Sequence, residues 1–355
     1  MVSSPRRTRL RIFTIALGVL LSAFFALTAF TESARAVTST ENYRESLRSS
    51  SSKYPSGAQD VIIGAYIDNI QSINYETSSF TADFFIWMRW SNRNLQPDLH
   101  FEIMNSSDSW STTIAPLEVG PIEQPDGTLY HSFHYQGAFN FKPNLQAFPF
   151  GGQLLPIQIE GTLNGKEALN FIPDSTPIVI DPGFTLPGYK IGVPTLTTSM
   201  YAYATDFGEV DAEPVQEYSR AIISLPISNP VWSNIVKYFL PLFLVVITAS
   251  FVFLIPARLG DAKIALGITA LLTLVAMEGS RATGLPSVDY LMLIDVLYIL
   301  SYIFIVLSIV QTVVMSWNER QVSLPAGVNA VRRFTAIYLI IYFVAVGLTT
   351  YLFLL

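Results

Sequence analysis

The residues whose types and spacing could do chemistry form one stripe in the last third of the chain. Asp261, Ala265, Thr269, Leu272, Ala276, Gly279 and Thr283 follow one another at steps of three or four residues. That spacing puts side chains on one face of an α-helix. At about 1.5 Å per residue the stripe is roughly 33 Å long, one hydrocarbon thickness. It is acidic at one end, small and hydroxylic along its length, and apolar at Leu272. Carboxylates at the mouth of a narrow passage attract cations, and an apolar ring can close such a passage by dewetting. Small and hydroxyl residues also favour tight helix packing, and an acid suits a helix N-terminus, so the pattern alone leaves packing open. One helix encloses no water. If the face lines a pore, several copies must surround an axis.

Other chemistry is poorly represented. The chain has no cysteine, which excludes a disulfide framework, a thiolate zinc site and a cysteine nucleophile. Its histidines are His100, His131 and His134. His131 and His134 are three apart on a predicted strand, so they point to opposite faces and make a poor metal pair. Carboxylates are scattered over turns, and no nucleophile–base set is visible. Neither an enzyme nor a cofactor is expected. Asn105-Ser106-Ser107 is a glycosylation sequon of a kind common by chance. The net charge of -6 argues against a nucleic-acid partner.

The elements that must position the stripe follow from composition. Of 355 residues, 50% are hydrophobic and 14% charged, against about 25% charged in soluble domains. Residues 1–36 hold five Arg and one Glu. A basic head (Arg6, Arg7, Arg9, Arg11), an apolar run from Ile12 to Phe30 and a small-x-small site at Ala34-Arg35-Ala36 read as an export signal. An uncleaved anchor helix is the alternative. Residues 37–58 read as a polar, Ser-rich linker.

Residues 59–236 read as an exported β domain. Ile63, Ala65, Ile67 and Ile73 sit among polar and turn residues, and Phe80 to Trp90 is rich in aromatic and β-branched residues. Turn signals recur at Asn92, Pro97, Pro125-Asp126-Gly127, Pro143-Asn144, Gly151-Gly152, Asn164-Gly165, Pro182-Gly183 and Pro187-Gly188. The pattern predicts an antiparallel sandwich of short strands. Residues 237–355 carry four apolar runs: Tyr238–Ile255, Ala262–Met277, Tyr290–Met315 and Phe334–Leu355. Each is long enough to span or nearly span a membrane. Arg258, Lys263, Arg320, Arg332 and Arg333 flank the first and third connecting loops. The positive-inside rule places those loops in the cytoplasm and the β domain outside, in an inner (plasma) membrane. The expected fold is an all-β extracytoplasmic immunoglobulin-like sandwich followed by a four-helix transmembrane bundle.

Several stretches share one further pattern. They are FTADFFIWMRW at Phe80–Trp90, FNFKPNLQAFPFGGQLLPIQIEG at 139–161, LPLFLVV with Pro241, and GLPSVDYLMLID at 284–295. In this order they resemble the pentameric ligand-gated ion channels, the Cys-loop receptor superfamily, and most of all the bacterial type without the disulfide. The resemblance covers about residues 60–355. It implies a homopentamer in membrane lipid that conducts monovalent cations. Leu272 falls on the gate leucine and Asp261 on the acidic ring of cation-selective members, while Ala265 and Thr269 fall on pore-lining positions. Arg281 lies off the stripe.

The resemblance also implies a ligand site between neighbouring sandwiches. Its hairpin is Thr198–Tyr218, with Tyr201, Tyr203 and Phe207 before an acidic tip at Glu209, Asp211 and Glu213. Phe85 falls on the facing strand, with Trp87 and Arg89 on its face. An unknown small ligand, a proton or a divalent cation is the expected stimulus, and ordinary sandwich packing is the alternative for the aromatics. Pro149, Phe150, Leu285 and Pro286 are candidates for coupling the domains.

Two departures stand out. Gly151 follows Phe150 where the family has an aspartate, and Asn229 stands where its arginine partner would be. Losing one member of a buried pair strands a charge, whereas losing both need not. Ser91–Pro97 is also shorter than in the family, and Leu95 replaces the usual tryptophan, which weakens a conventional amine site. The alternative function is a non-conducting membrane receptor or assembly protein with the same architecture.

Overall fold

The computed structural model describes residues 59–108, 112–162, 169–208, 215–256, 259–321 and 328–354. The export signal, the polar linker, the Asn164-Gly165 turn, the acidic tip at Glu209, Asp211 and Glu213, and Arg258 lie outside the described residues, as do the side chains of Arg320, Arg332 and Arg333. The chain forms two units. One is a sandwich that ends at Asn229; the other comprises Leu145–Gly151 and the helices from Pro230 onward.

The sandwich strands are β1 (Gln59–Asn74), β2 (Ser79–Trp90), β3 (Phe101–Ile103), β4 (Thr113–Pro116), β5 (Ile122–Glu123), β6 (Leu129–Asn140), β7 (Gly152–Gly161), β8 (Leu169–Ile180), β9 (Lys190–Ile191), β10 (Thr195–Tyr203) and β11 (Gln216–Ser228). One sheet runs β4-β6-β2-β1-β8 with β5 on β6, and the other runs β10-β11-β7-β3 with β9 on β11. Side-chain alternation decides the faces. On β2, Phe80, Ala82, Phe84, Ile86, Met88 and Trp90 are buried. From the other sheet, Leu155, Ile157 and Ile159 of β7 and Ala221, Ile223 and Leu225 of β11 join the same core. Each large apolar side chain so buried contributes about 1.5–3 kcal/mol. The Trp90 indole donates to the Leu95 carbonyl at 3.0 Å, pinning the short loop after β2.

Two expectations about the sandwich need correction. The strands are not all short: β1 has 16 residues and β2 has 12. Register shifts between Ile67 and Asn69 and between Ile70 and Ser72 let β1 continue past polar residues. Nor is the pairing wholly antiparallel, because β1 and β8 run parallel. No hairpin joins these two strands, and alternation carries no information about direction.

The helices are α1 (Val231–Phe253), α2 (Gly260–Ala282), α3 (Leu293–Gln321) and α4 (Val328–Leu354). All four are long and apolar enough to cross a membrane. α1 starts before its apolar run, because Ser233 and Asn234 are helical without being apolar. Its turn Ile235–Phe239 widens to a π-helix just ahead of Pro241, and the Leu240 N–H reaches back to the Ile235 carbonyl. Proline has no N–H and crowds the carbonyl four residues back, so a wide turn accommodates it. Inside the bundle, Tyr338 lies 4.2 Å from Phe304 and donates to its carbonyl at 2.9 Å. The hydroxyls of Ser301 and Tyr342 meet at 2.8 Å.

Gly64 of β1 pairs with Trp87 of β2. A Cβ at Gly64 would lie 2.2 Å from the Trp87 ring. Gly64→Val is expected to lower the unfolding midpoint, followed by tryptophan fluorescence in detergent, by the equivalent of about 2–3 kcal/mol. An unchanged midpoint would contradict the close approach.

Candidate functional site

α2 carries the stripe from Asp261 to Gly279, whereas Thr283, expected on the same helical face, lies just beyond the helix in extended backbone, and local chemistry explains these limits. Asp261 sits in its first turn and Arg281 in its last, each matched to the helix dipole. Thr283 is extended and Gly284 adopts φ +89°, a left-handed conformation suited to glycine, which ends the helix. All seven stripe residues are exposed in the subunit, Leu272 at 64%. The opposite side carries the buried Lys263, Gly267, Ala270 and Leu274, and α2 packs with it against α1 and α3. Gly267 is required there, since a Cβ would lie 2.5 Å from Ile309. The Thr269 hydroxyl donates to the Ala265 carbonyl and that of Thr273 to the Thr269 carbonyl, each at 2.8 Å. With their protons used inside the helix, both oxygens remain as acceptors on the exposed side.

The loop between β6 and β7 belongs to the helical unit. The buried Asn234 of α1 donates its amide to the Pro149 carbonyl. Phe148 meets the Tyr238 ring at 5.3 Å and Phe150 meets Phe239 at 5.1 Å. The Leu145 N–H donates to the Tyr290 hydroxyl at 3.0 Å, and the Leu293 N–H donates to the Gln146 carbonyl at 2.8 Å. This fastening is neutral throughout. Leu285 and Pro286 are half-buried in the turn after α2. Asn234 and Tyr290 were not singled out in the sequence, because a side chain that bonds a distant backbone group leaves no periodic signature.

The aromatic candidates lie on different sheets. Phe85, Trp87 and Arg89 are on β2; Tyr201 and Tyr203 are on β10, and Phe207 is in the turn after it. Phe85 stacks on His134 at 4.4 Å, and His134 bonds Asp83. The Trp87 indole donates to Asp174 at 2.8 Å. Burial alone would raise the Asp174 carboxyl, but the bonds from Trp87 and Ser175 hold it below its usual range. Arg89 pairs with Asp126 at 3.5 Å and, with Asp60, Ser91 and Asp174, borders a crevice of about 270 Å³. On the other sheet Tyr201, Tyr203 and Phe207 form a chain of edge contacts at 4.8 and 5.4 Å. Phe207 holds φ 54°, which is uncommon for a bulky residue.

Arg220 of β11 completes this second group. Its guanidinium lies 3.6 Å from the Tyr201 ring centre. It bonds Glu160 of β7 at 2.7 Å and the Tyr203 hydroxyl at 2.8 Å, and that hydroxyl donates to Glu160 at 3.0 Å. Both charged side chains are under a tenth exposed. The Tyr201 face therefore already carries a cation of the chain itself. Arg220 and Glu160 are register partners 60 residues apart, so only strand pairing reveals them.

His131, on the opposite face of β6 from His134, bonds the buried Asp98 at 2.9 Å. Among the described residues no three metal-binding side chains converge. The sequon residue Asn105 spends its amide on the Asn140 and Pro156 carbonyls and the Gln158 N–H.

Residues 238–332, which contain all of α2, match the family model of the neurotransmitter-gated ion-channel transmembrane region. A mouse gamma-aminobutyric acid receptor subunit theta is 21% identical over 278 residues, covering 72% of this chain and 42% of the relative. The human gamma-aminobutyric acid receptor subunit rho-3 is 20% identical over 279 residues, covering 70% and 56%. Ligand-gated ion channel 50 of Caenorhabditis elegans is 22% identical over 289 residues, covering 74% and 57%. The helical part of this chain thus resembles the transmembrane region of neurotransmitter-gated ion channels, and the chain as a whole resembles ligand-gated ion channel subunits. Its four helices long and apolar enough to cross a membrane, together with this match, make it a multi-pass membrane protein, and its relatives are named as receptor and channel subunits rather than enzymes. It spans about half the length of the curated relatives it matches. The chain has no cysteine.

Two outcomes follow for the Arg220 cluster. Glu160→Ala leaves a buried guanidinium without its counter-charge and is expected to cost about 3–5 kcal/mol in chemical unfolding. Burial, and then the Glu160 charge, push the Tyr203 phenol up to about 12. A raised native value means that the stabilisation is complete below the unfolded value, about 10, and is lost as pH rises through about 12. Tyrosinate absorbance should show Glu160→Gln shifting this titration to lower pH.

Proposed function

We propose that five copies of this chain surround an axis lined by α2 and form a ligand-gated, cation-selective channel in an inner (plasma) membrane. The observation that supports this most is the stripe: six of its positions are exposed on α2, and Thr283 just beyond it, while the opposite side of the helix is buried by the same chain. A polar, hydroxylic face on a membrane-crossing helix needs water or another protein surface, because lipid satisfies neither carboxylates nor hydroxyls. A closed ring of identical helices supplies a water-filled axis.

Asp261 would form the acidic mouth. A cation about 5 Å from each of five carboxylates gains about 4 kcal/mol in all at the dielectric of water, before screening, and an anion loses as much. Leu272 would be the gate, where five leucines exclude water from a narrow constriction. The sandwich would lie on the extracytoplasmic side, as the basic flanks of the first and third helix connections favour. A small ligand, a proton or a divalent cation acting there would shift a closed–open equilibrium through its differential affinity for the two states. A ligand between subunits would meet the Tyr201, Tyr203 and Phe207 hairpin of one copy and the Phe85, Trp87 and Arg89 face of the next. An ammonium ligand would have to compete with Arg220 for the Tyr201 ring. The neutral contacts of Pro149 and Phe150 with α1 would carry the signal that a charge pair would otherwise carry.

Leu272→Ser, reconstituted in liposomes, is expected to leak K⁺ and Na⁺ in preference to Cl⁻ without any ligand. Adding Asp261→Asn should lower that preference about tenfold or more. A folded Leu272→Ser ring with no leak would remove the gate assignment and favour the non-conducting receptor.

A further inference from the structure

The C-terminal end of α2 carries a charge that the proposed ion path does not use. Arg281 lies between Gly279 and Thr283 of the stripe in sequence. Nine residues beyond Leu272, at about 100° each, put it roughly 180° around the helix from the gate position. Its side chain is only 9% exposed. Nη2 donates to Oδ1 of Asp295 at 2.7 Å, and the guanidinium sits 5.3 Å from the Tyr298 ring centre. Nε and Nη1 are buried and have no hydrogen-bond partner among the described residues. Oδ2 of Asp295 accepts the Met292 N–H at 3.0 Å, so the same carboxylate starts α3. The other acid facing this corner is Glu278, which accepts a bond from Tyr302 of α3.

We propose that Asp295 masks Arg281, and that this masking keeps the C-terminal mouth of the stripe attractive to cations. The inference rests on the cation-channel reading above. Its physical basis is distance and sign. A helix with its side chains is about 10 Å across, close to the Debye length of about 10 Å at 0.1 M salt. A bare guanidinium on the back of α2 is therefore felt on its front, and more so as salt falls. Five of them would oppose cations at this mouth. Paired with Asp295, each contributes almost no net charge, and Glu278 remains as the formal charge of these turns. The hold on Arg281 is narrow, since one carboxylate oxygen accepts its only hydrogen bond among the described residues. Without Asp295 a desolvated cation has no counter-charge, and its long side chain extends toward water at the helix end.

The test uses the Leu272→Ser channel in liposomes and the K⁺-to-Cl⁻ permeability ratio read from reversal potentials under a salt gradient. Adding Asp295→Asn is expected to lower the ratio about threefold at 0.15 M salt and further at 0.01 M. Combining Arg281→Gln with Asp295→Asn should return it to within about twofold of the parent, and Asp295→Glu should leave it there. A role in packing alone would leave the ratio insensitive to salt and would not be rescued by the second substitution. An unchanged ratio in Asp295→Asn at both salts, or no recovery in the double variant, overturns the proposal. A Leu272→Ser parent without cation preference overturns the channel reading instead, while the shift between parent and Asp295→Asn still reports masking. Should no ring conduct, phenylglyoxal modification of Arg281 in the intact protein, followed by mass spectrometry, decides. Masking requires faster modification in Asp295→Asn than in the wild type, because the released side chain reaches water, and equal rates overturn it.

Discussion

α2 meets its own chain on one side only. That asymmetry is the constraint on which the other features depend. A membrane-crossing helix satisfies its backbone internally, so its side chains decide what may surround it. Here Lys263, Gly267, Ala270 and Leu274 are buried, while Asp261, Thr269, Leu272 and Thr283 face out. Gly267 sets how closely α2 approaches α3, since Ile309 occupies the space a side chain would need. The close approach orients the helix, and the orientation leaves the hydroxylic stripe uncovered. The proposed ring would cover that stripe with further copies of the same helix and give its polar positions access to water.

The second theme is the economy of charge at the ends of α2. Where the family has an ion pair at the junction, this chain has Gly151 and Asn229. The loop Leu145–Gly151 is fastened instead by the Asn234 amide, the Tyr290 hydroxyl and two ring contacts. Neutral hydrogen bonds contribute about 1 kcal/mol each and leave a smaller desolvation penalty when broken than a stranded ion does. A junction built this way can rearrange without exposing an unpaired charge. Two buried arginines are matched locally, Arg220 by Glu160 and Arg281 by Asp295.

Much of the architecture was legible in the sequence. The alternation of Ile63, Ala65 and Ile67 marked the buried face of β1 because strand periodicity and burial are the same geometric fact. Four apolar runs marked four helices because lipid demands length and hydrophobicity. The errors have the same origin. Parallel pairing of β1 with β8 left no trace, since alternation is blind to direction. The start of α1 at Val231 was missed because hydropathy reports the lipid-facing portion and not the hydrogen-bonded one.

The sequence by itself determined which residues share a face, because that depends only on local geometry repeated at 3.6 or 2 residues. It therefore specified the stripe from Asp261 to Gly279 and the inward side of β1 at Ile63, Ala65 and Ile67. The tertiary structure alone decided which distant residues meet. Arg220 over Tyr201, Glu160 on Arg220 and Tyr203, Asn234 on Pro149 and Asp295 on Arg281 are products of strand register and helix docking. Such contacts carry no period, and their energies depend on burial that no single segment creates.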